Sequence, residues 1–439
     1  MKKLTAIVIG AGGRGRIYTS IMKDLEGKFE LVGIAEPVEK SVEYELSLFP
    51  DVPKENIYDT WEKILDRPKF ADFAIIATQD HMHTEPALKA IELGYDILIE
   101  KPIAPTPEEC KKITMAAKEK GVKVLVCHVL RYAPKFMKLK EIIESGKIGE
   151  VMSIQALESV GNRHMAHSFV RGAWGNSDTS SPMILAKCCH DTDIIQWLMG
   201  KKCTRVHSFG SLSFFNKAHQ PEGAPSRCTE ECPHREECIY DIKKMYIENQ
   251  YMGSAWFKDA AAGFAGATNE QVWEALQKNN YGTCIYEANN NVVDHQVVNM
   301  EFEGGSTATL TMTAFTGDAS GRCMKIFGTK GTLEIRGDAK FIYYTKFGQR
   351  IEGQWGDRVS EEIDIARKED ANGIGLQSGH GGGDAGIMQT LYEYFTDTYT
   401  GNAATTAEVS YLNHLISFGA EESRVTGTVI DIDKYSQAL

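Results

Sequence analysis

The first part of the chain alternates short apolar runs with segments whose apolar residues recur at helical spacing. The apolar runs are Leu4–Ile9, Leu31–Ala35, Phe73–Ala77, Ile97–Ile99 and Val122–Val126. The helical segments between them include Ile17–Leu25, Ala87–Leu93 and Pro107–Lys120. Strands that alternate with helices are typical of a parallel sheet covered on both faces. The pattern therefore predicts an α/β domain over residues 1–128.

The pattern changes after Val129. One more helix, Ala133–Ser145, is followed by longer strand-like runs, several of them joined by turns such as Glu303-Gly304-Gly305. These runs are Val151–Ser159, Val292–Phe302, Thr307–Ala314, Met324–Phe327 and Thr332–Arg336, and helical patterns return at Ala385–Tyr399 and Ala407–Arg424. Consecutive strands with tight turns indicate antiparallel pairing. We expect an α+β domain over residues 129–439 with a large, mostly antiparallel sheet, interrupted by an irregular insertion at about 214–285.

Composition narrows the class of partner. Charged residues make up 25% and hydrophobic residues 42% of the chain, which is typical of a folded globular protein. The formal net charge of −12 argues against nucleic-acid and membrane partners and favours a small-molecule ligand. No apolar run approaches the ~18 residues of a membrane helix, and the run after Met1-Lys2-Lys3 is too short for a signal peptide. We expect a cytoplasmic protein.

A glycine motif follows the first strand. Gly10-Ala11-Gly12-Gly13-Arg14-Gly15 has the G-x-G-x-x-G spacing, which permits a tight turn and lets the backbone approach a pyrophosphate at a helix N-terminus. Glu36 ends the second strand, where an acidic side chain binds the adenosine ribose 2′-OH and repels a 2′-phosphate. The motif predicts an NAD site. NADP stays open as an alternative because Arg14 lies in the loop and could meet a phosphate.

Two further segments complete a resemblance to a known family. Gly94-Tyr95-Asp96-Ile97-Leu98-Ile99-Glu100-Lys101-Pro102 places Glu-Lys-Pro just after a buried strand, and Ala77-Thr78-Gln79-Asp80-His81-Met82-His83 follows another. With the glycine loop, they make the chain resemble the Gfo/Idh/MocA oxidoreductases. The resemblance implies a Rossmann domain followed by a domain built on a large sheet. It also implies a nicotinamide cofactor, a sugar or cyclitol between the domains, and a homo-oligomer, either a dimer or a tetramer.

The resemblance also assigns roles to single residues. Lys101 would be the active-site lysine, with Glu100 and Pro102 orienting it. Thr78, Gln79 and His83 would contact the cofactor. A lysine at the carboxyl end of a parallel strand also lies where ligands bind in open α/β sheets, and there it could share a proton with a substrate hydroxyl.

The second half of the predicted site is Lys187-Cys188-Cys189-His190-Asp191-Thr192-Asp193 at the start of a helical pattern. The segment resembles the family's catalytic histidine, which makes His190 a candidate general base. Many members carry an aspartate four residues earlier, where this chain has Ala186. Lys187 shares a helical face with His190 and is our candidate to replace that carboxylate in part. Asp193 could orient the imidazole, take part in substrate binding or serve the fold.

Weaker substrate candidates lie elsewhere in the second predicted domain, residues 129–439. Arg131 follows the fifth main strand near the predicted cleft, and Arg163 shares a polar loop with His164, His167 and Trp174. His295 begins a strand and could face either the cleft or the other side of the sheet. His380 lies in a glycine-rich loop that could close over substrate, before Asp384, a candidate N-cap.

Three thiols and a histidine crowd one stretch of the insertion: Cys228, Cys232, His234 and Cys238. The first pair has zinc-ligand spacing, but His234 lies only two residues after Cys232. A structural zinc, a disulfide and free thiols all remain open.

Three functions follow from these observations. The leading one is an NAD-dependent oxidoreductase that moves hydride between a sugar or cyclitol hydroxyl-bearing carbon and nicotinamide. A second is an NAD-dependent glycosidase that works by transient oxidation, elimination and re-reduction. A third is a non-catalytic regulator that responds to NAD or sugar.

Overall fold

The computed structural model describes residues 2–248, 255–317, 321–337, 340–365 and 379–439. Over these residues the chain forms a six-stranded sheet, a nine-stranded sheet and a two-stranded hairpin, with helices packed around the two larger sheets. The predicted fold class, a Rossmann parallel sheet followed by an α+β unit with a mostly antiparallel sheet, is confirmed.

The first sheet is parallel throughout. Its strands are β1 (Leu4–Ile9), β2 (Phe29–Ala35), β3 (Ile57–Tyr58), β4 (Phe73–Ile76), β5 (Asp96–Ile99) and β6 (Val124–Val126). They lie in the order β3-β2-β1-β4-β5-β6, which reverses direction between β1 and β4. Ligands of open α/β sheets bind in the crevice at such a reversal, outside the carboxyl ends of the strands.

The second sheet is mixed. Its strands are β7 (Val151–Ser159), β8 (Cys203–Ser211), β9 (His295–Phe302), β10 (Thr307–Thr313), β11 (Arg322–Gly328), β12 (Gly331–Ile335), β13 (Phe341–Lys346), β16 (Val359–Asp364) and β17 (Ile430–Asp431). The order is β16-β13-β12-β11-β7-β10-β9-β8-β17. Within this sheet, the pair β7 and β10 is parallel and the other described pairings are antiparallel. A separate hairpin joins β14 (Gln349–Ile351) to β15 (Gln354–Gly356).

Helices cover both sheets. They are α1 (Gly13–Asp24), α2 (Glu39–Leu48), α3 (Trp61–Leu65), α4 (Thr84–Leu93), α5 (Pro107–Lys120), α6 (Pro134–Glu144), α7 (Asn162–His164), α8 (Met183–Ala186), α9 (Cys189–Met199), α10 (Ala255–Ala262), α11 (Asn269–Lys278), α12 (Gly383–Phe395), α13 (Ala407–Thr426) and α14 (Ile432–Ala438). None of the described helices is both long and apolar enough to span a bilayer.

The two faces of the large sheet differ. On one face, Ile154, Leu310 and Ile326 are buried, and helices α9 and α13 pack against this sheet. On the other face, Gln155 and Thr311 are exposed. Because side chains alternate along each regular strand, this division separates a covered face of the sheet from an open face.

The chain returns to the first sheet after completing the second. Helix α12 packs against α1 and against residues 129–132, and a Cβ on Gly386 would lie only 2.7 Å from the Tyr132 Cβ. The Val126 N–H donates to the Thr405 carbonyl oxygen at 2.8 Å, so residues near Thr405 extend the edge of the first sheet at β6. Residues far apart in sequence therefore shape the crevice of the first sheet.

The insertion is more regular than its sequence suggested. Helix α11 has a capping box in which the Thr268 hydroxyl accepts from the Gln271 N–H and the Gln271 side chain accepts from Thr268. Val272 and Leu276 are buried on the inner side of this helix. Residues 249–254 of the predicted insertion lie outside the described residues.

Candidate active site

The glycine loop lies between β1 and α1. Gly10 has φ +85°, and a Cβ there would lie 2.8 Å from the Ala77 carbonyl oxygen; a Cβ on Gly15 would lie 2.1 Å from the Gly10 carbonyl oxygen. Packing therefore requires both glycines. A Cβ on Gly12 or Gly13 would meet no atom within 4 Å, so the backbone here faces open space at the start of α1. Free N–H groups at this position suit a phosphate.

Glu36 ends β2 beside this loop. Its Oε2 accepts from the Ala11 N–H at 2.7 Å and its Oε1 from the Val38 N–H at 2.9 Å, and the residue is 8% exposed. These bonds hold the carboxylate next to the glycine loop. In this position it would repel the 2′-phosphate of NADP.

Arg14 does not have the role that its place in the loop suggested. Its Nε donates to Glu100 Oε1 at 2.7 Å, and its Nη2 donates to Asp384 Oδ1 at 2.8 Å and to the Tyr18 hydroxyl at 2.5 Å. The guanidinium joins the protein's own carboxylates instead of facing the cleft as a free phosphate ligand. These bonds favour the NAD alternative over NADP, and a contact between Arg14 and the cofactor stays a prediction.

Lys101 follows β5 and reaches toward the second unit. Its Nζ donates to the Ala186 carbonyl oxygen at 2.9 Å and lies 5.7 Å from the centre of a Trp174 ring. Glu100 beneath it accepts from the Lys101 N–H at 2.9 Å as well as from Arg14. Burial would raise the pKa of Glu100, but the charges of Arg14 and Lys101 outweigh it and hold that pKa below its usual value.

The loop after β4 separates the predicted cofactor ligands. Thr78 and Gln79 reach the surface, and the Thr78 hydroxyl donates to the Met82 carbonyl oxygen at 3.0 Å. His83 is fully buried, with Nδ1 2.8 Å from the Pro102 oxygen and Nε2 3.2 Å from the Thr78 oxygen. His83 therefore holds the Thr78 loop against the Lys101-Pro102 turn, and its contact with the cofactor stays a prediction.

His190 lies in the first turn of α9 among other histidines. Its ring centre is 5.7 Å from that of His128 and 5.8 Å from that of His380, and the residue is 4% exposed. Burial, followed by the charge of Lys101, holds the pKa of His190 well below its usual value. Its Nδ1 is buried without a hydrogen-bond partner in the described structure. A neutral imidazole with an uncommitted nitrogen can accept a proton.

His380 is brought to His190 by the glycine-rich loop. Its Nδ1 lies 3.1 Å from Asp384 Oδ1, and Arg14 binds the same carboxylate. The hydrogen bonds of His380 and Arg14 outweigh burial and hold the pKa of Asp384 below its usual value. Asp384 is thus not the N-cap that the sequence suggested, because Gly382 occupies that position and α12 has no side-chain cap.

Lys187 belongs to a four-residue charge cluster, formed with Glu158, Arg322 and Asp191. Lys187 Nζ is 3.4 Å from Glu158 Oε1, and Glu158 Oε2 is 2.8 Å from Arg322 Nε. Arg322 Nε also donates to Asp191 Oδ1 at 2.7 Å. Burial raises the pKa of Asp191 to about 6, while the Arg322 and Lys187 charges hold the pKa of Glu158 below its usual value.

Sequence reasoning missed three members of that cluster. Glu158 and Arg322 lie opposite each other on β7 and β11, although 164 residues separate them in the chain. Only the strand register brings them together, so spacing in the sequence could not reveal the pair. Asp191 follows the candidate base directly and could have been singled out by that position.

Arg131 and Asp193 bind each other. Arg131 Nε and Nη2 donate to the two Asp193 carboxylate oxygens, both at 2.8 Å, and the residues are 3% and 0% exposed. The Asn413 side chain donates to the same carboxylate at 2.5 Å. The pair braces the inner side of α9, and a substrate role for either residue stays a prediction.

The remaining substrate candidates lie apart from this cluster. His295 shares the open face of the large sheet, since its neighbour Gln296 is buried and Glu158 belongs to the covered face. Its Nδ1 is 2.8 Å from Asp294 Oδ1. Arg163 is partly exposed in α7. His167 is buried against the insertion, stacked at 4.1 Å on Phe257.

The cysteine stretch surrounds a buried arginine. Arg171 is 1% exposed, and its Nη2 lies 3.3 Å from Cys228 Sγ while its Nε donates to the Thr283 oxygen at 2.8 Å. His234 is occupied by the Glu222 carbonyl oxygen at 2.8 Å. In the part of the chain that the structure describes, no three Cys, His, Asp or Glu side chains are arranged to hold a metal ion.

Family models match most of the chain. The NAD-binding Rossmann fold of the Gfo/Idh/MocA oxidoreductase family matches residues 4–128, and the C-terminal α/β domain of the same family matches residues 140–413. The chain belongs to the Gfo/Idh/MocA oxidoreductase family. The resemblance inferred from the glycine loop and the Glu-Lys-Pro segment is thereby confirmed.

Individual members of the Gfo/Idh/MocA family share a modest fraction of identical residues with this chain. YteT of Bacillus subtilis strain 168 is 23% identical over 397 residues, covering 88% of each chain. A 2,7-anhydro-N-acetylneuraminate hydratase of Mediterraneibacter gnavus is 26% identical over 257 residues, 58% of this chain and 62% of the relative. Among solved structures, a levoglucosan dehydrogenase complex with NADH and levoglucosan superposes with a TM-score of 0.69 at 18% identity, over 98% of this chain and 100% of the other.

The glycine loop fits the dinucleotide that this family binds. Open space above Gly12 and Gly13, free N–H groups at the start of α1 and the carboxylate of Glu36 provide a pyrophosphate cradle and a ribose ligand. Arg14 is bound to Glu100 and Asp384 and leaves the loop without a free cation for a 2′-phosphate. The chain is an NAD-binding oxidoreductase.

Proposed function

We propose that this oxidoreductase moves hydride between a hydroxyl-bearing carbon of a sugar or cyclitol and the nicotinamide of NAD. The observation that supports the proposal most is the bond from Lys101 Nζ to the Ala186 oxygen. It joins the lysine of the Rossmann unit to the segment that leads into His190. This bond supports a site in which Lys101 of the Rossmann unit and His190 of the second unit act together beside the carboxyl ends of the parallel strands.

Lys101 and His190 have different roles in the proposed reaction. Bound NAD supplies the hydride acceptor. Lys101 donates a hydrogen bond to the substrate oxygen and holds the carbinol in place, in exchange for its bond to the Ala186 oxygen. His190, neutral because of its burial, accepts the hydroxyl proton as the carbon is oxidised. In the reverse direction the same imidazole returns the proton.

The names of relatives agree with a carbohydrate substrate. A levoglucosan dehydrogenase of Pseudarthrobacter phenanthrenivorans is 38% identical over 101 residues, and an inositol 2-dehydrogenase of Saccharopolyspora erythraea is 30% identical over 133 residues. These matches cover 26% and 36% of the two relatives, so they support the substrate class as a proposal.

The proposal is tested by identifying the dinucleotide released on denaturation and by measuring absorbance of NADH with a panel of sugars and cyclitols. We expect NAD to be released or bound, and NADH to form with at least one member of the panel. A protein that binds no dinucleotide, or that binds NAD but oxidises no carbinol, contradicts the proposal.

A second reaction is favoured by one observation, the similarity to the 2,7-anhydro-N-acetylneuraminate hydratase. A chain that holds NAD tightly would oxidise a ring carbinol of the glycoside transiently, eliminate the aglycone with loss of a neighbouring ring proton, add water to the resulting double bond and re-reduce the ring. This reaction consumes no external NAD. Cleavage of an aryl glycoside without accumulation of NADH would distinguish it from the dehydrogenase.

We also propose a cytoplasmic homo-oligomer acting on a small molecule. All ten cysteines are free thiols, which suits a reducing compartment. The open face of the large sheet exposes Phe209, apolar area that a second subunit could cover. Light scattering should give the mass of a dimer or a tetramer, and a monomer would contradict the proposal.

A further inference from the structure

We propose that the substrate carries a carboxylate, and that Lys187 and Arg322 bind it. The inference rests on the proposed function, because it names the substrate class of the same cleft. It starts from the charge cluster that the two cations form with Glu158 and Asp191.

The cluster is arranged in two layers. The side chains of Lys187 and Arg322 are each 19% exposed, whereas those of Glu158 and Asp191 are 3% and 4% exposed. The carboxylates thus lie beneath the cations and fix them in place. A ligand that enters from the solvent side meets the ammonium and the guanidinium first.

Both cations have donors to spare. Lys187 Nζ has three N–H groups, and its described partner is Glu158 Oε1 at 3.4 Å. Arg322 uses Nε and Nη2 on Asp191, at 2.7 and 3.2 Å, and Nε also faces Glu158. None of the described contacts uses Nη1 of Arg322, which can therefore donate to a ligand. Two cationic donors are therefore held side by side around one buried carboxylate.

A carboxylate satisfies these donors better than a hydroxyl does. A hydroxyl must place its own proton on an acceptor, and the nearest carboxylates are buried and already bound to cations. A carboxylate only accepts, and its two oxygens can take one bond from each cation. The pair Lys187 and Arg322 thus favours an acidic sugar, such as a uronate, over its neutral parent.

The pair lies next to the proposed chemistry. Lys187 is three residues before His190, and Asp191, which binds Arg322, comes directly after it. A carboxylate held by the pair would thus fix the sugar close to the imidazole. Charge at this position would orient the ring for oxidation, as fixed binding groups do in general.

The test compares acids with their neutral parents on the NAD-loaded protein. D-glucuronate is paired with D-glucose, and D-galacturonate with D-galactose, and each affinity is measured by titration calorimetry. We expect at least one acid to bind tenfold or more tightly than its parent, a difference of ~1.4 kcal/mol, since charge-assisted hydrogen bonds are stronger than neutral ones.

Variants assign the effect to the cluster. Lys187→Gln should weaken binding of the acid about tenfold and binding of the neutral parent by a much smaller factor. Lys187→Glu should abolish the preference for the acid. Lys201→Gln is the matched control, because Lys201 is 23% exposed and bonds Glu150 at 2.7 Å away from the cleft; it should change neither affinity.

Equal binding of acid and parent, tighter binding of the parent, or no binding of either overturns the inference. An equal effect of Lys187→Gln on both ligands also overturns it. The proposed function is judged separately by NAD release and NADH formation, which a neutral substrate would still show.

Discussion

The ammonium of Lys101 donates a hydrogen bond to the main-chain oxygen of Ala186 across 2.9 Å. Ala186 is the residue four positions before His190, where the family resemblance leads one to expect an aspartate. Its backbone oxygen thus holds the lysine here, while the carboxylate Glu158 comes from strand β7 and pairs with the neighbouring Lys187. The site thus contains Lys101 and His190, and the charged side chains beside them come from residues distant in sequence, such as Glu158 and Arg322.

His128 should make the protein sensitive to acid. It is fully buried, both ring nitrogens are without hydrogen-bond partners in the described structure, and burial lowers its pKa to about 3. Its folded pKa lies below its unfolded value of about 6.5, so its contribution to stability is lost as the pH falls below 6.5 toward 3. At pH 5 the loss is about 2 kcal/mol greater than at pH 7.

The measurement is urea unfolding of the wild type and of His128→Leu at both pH values. The variant removes this proton uptake, so its free energy of unfolding should fall by about 2 kcal/mol less between pH 7 and pH 5. The exposed His81→Leu serves as the control and should behave like the wild type. Parallel losses in wild type and His128→Leu would show that His128 is not buried as described.

Glu36 and Arg14 should differ in their effect on cofactor choice. Glu36→Gln removes the negative charge that faces a 2′-phosphate while keeping an acceptor for the Ala11 N–H. The ratio of NADP to NAD dissociation constants should fall about tenfold, a change of ~1.4 kcal/mol. Arg14→Lys should leave this ratio unchanged, because Glu100 and Asp384 hold the guanidinium.

Binding of both dinucleotides is measured by calorimetry on the two variants and the wild type. A ratio that changes with Arg14→Lys and not with Glu36→Gln would mean that the loop arginine, and not the strand-end glutamate, selects the cofactor.

Removing Arg131 should affect stability and not substrate recognition. Arg131→Met leaves the buried Asp193 carboxylate without its bidentate partner, which costs about 3–5 kcal/mol in the free energy of unfolding. The double variant Arg131→Met/Asp193→Leu should recover part of this loss, since it leaves no unpaired buried charge.

Urea unfolding measures these losses, and Lys138→Met, in an exposed pair with Glu141, is the control. A stable Arg131→Met protein with a raised KM for sugar would contradict the structural role and restore the substrate role that the sequence suggested.

Cys228 should be the most reactive thiol of the insertion near neutral pH. The Cys284 thiol donates to its sulfur and outweighs the effect of burial, and Arg171 adds to the shift, so that the pKa of Cys228 falls to about 6. Its alkylation rate with iodoacetamide should therefore rise around pH 6, well below the ~8.5 of an ordinary thiol.

Peptide mass spectrometry follows the labelling of each cysteine. Arg171→Met should move the alkylation of Cys228 to higher pH, whereas Arg235→Met should not, because Arg235 bonds the Cys228 carbonyl oxygen and not its sulfur. Labelling of Cys228 that rises only above pH 8, or bound zinc in the tag-free protein, would contradict the arrangement around Arg171.

Local sequence patterns were enough to predict the Rossmann domain and two short motifs of the candidate site. The glycine loop, the strand before it and the helix after it depend on residues close in sequence, and Lys101 and His190 stand in short motifs. Strand β8 was missed because Cys203–Ser211 mixes polar and apolar residues without clear alternation. Its assignment depends on pairing with β9, which lies more than 80 residues further along.

The buried polar residues could not be sorted into ligands and structural residues by sequence alone. Arg131, Asp193 and His83 have the chemistry of ligands, but tertiary packing places their polar groups against other parts of the chain. Glu158 and Arg322 carry no local signal, and only the register of β7 and β11 brings them to His190's helix. Distance in sequence, and not an unusual residue type, limited the prediction.

The most direct test of hydride transfer at this site compares the wild type with Lys101→Ala on the sugar and cyclitol panel. NADH formation is followed by absorbance, and NAD binding by calorimetry; Lys123→Ala, a lysine at the opposite end of the same sheet, is the control. The wild type and the control should oxidise the same substrate. The rate of Lys101→Ala should be about 10²–10⁴-fold lower, although this variant should still bind NAD. Equal rates in wild type and Lys101→Ala would contradict the account.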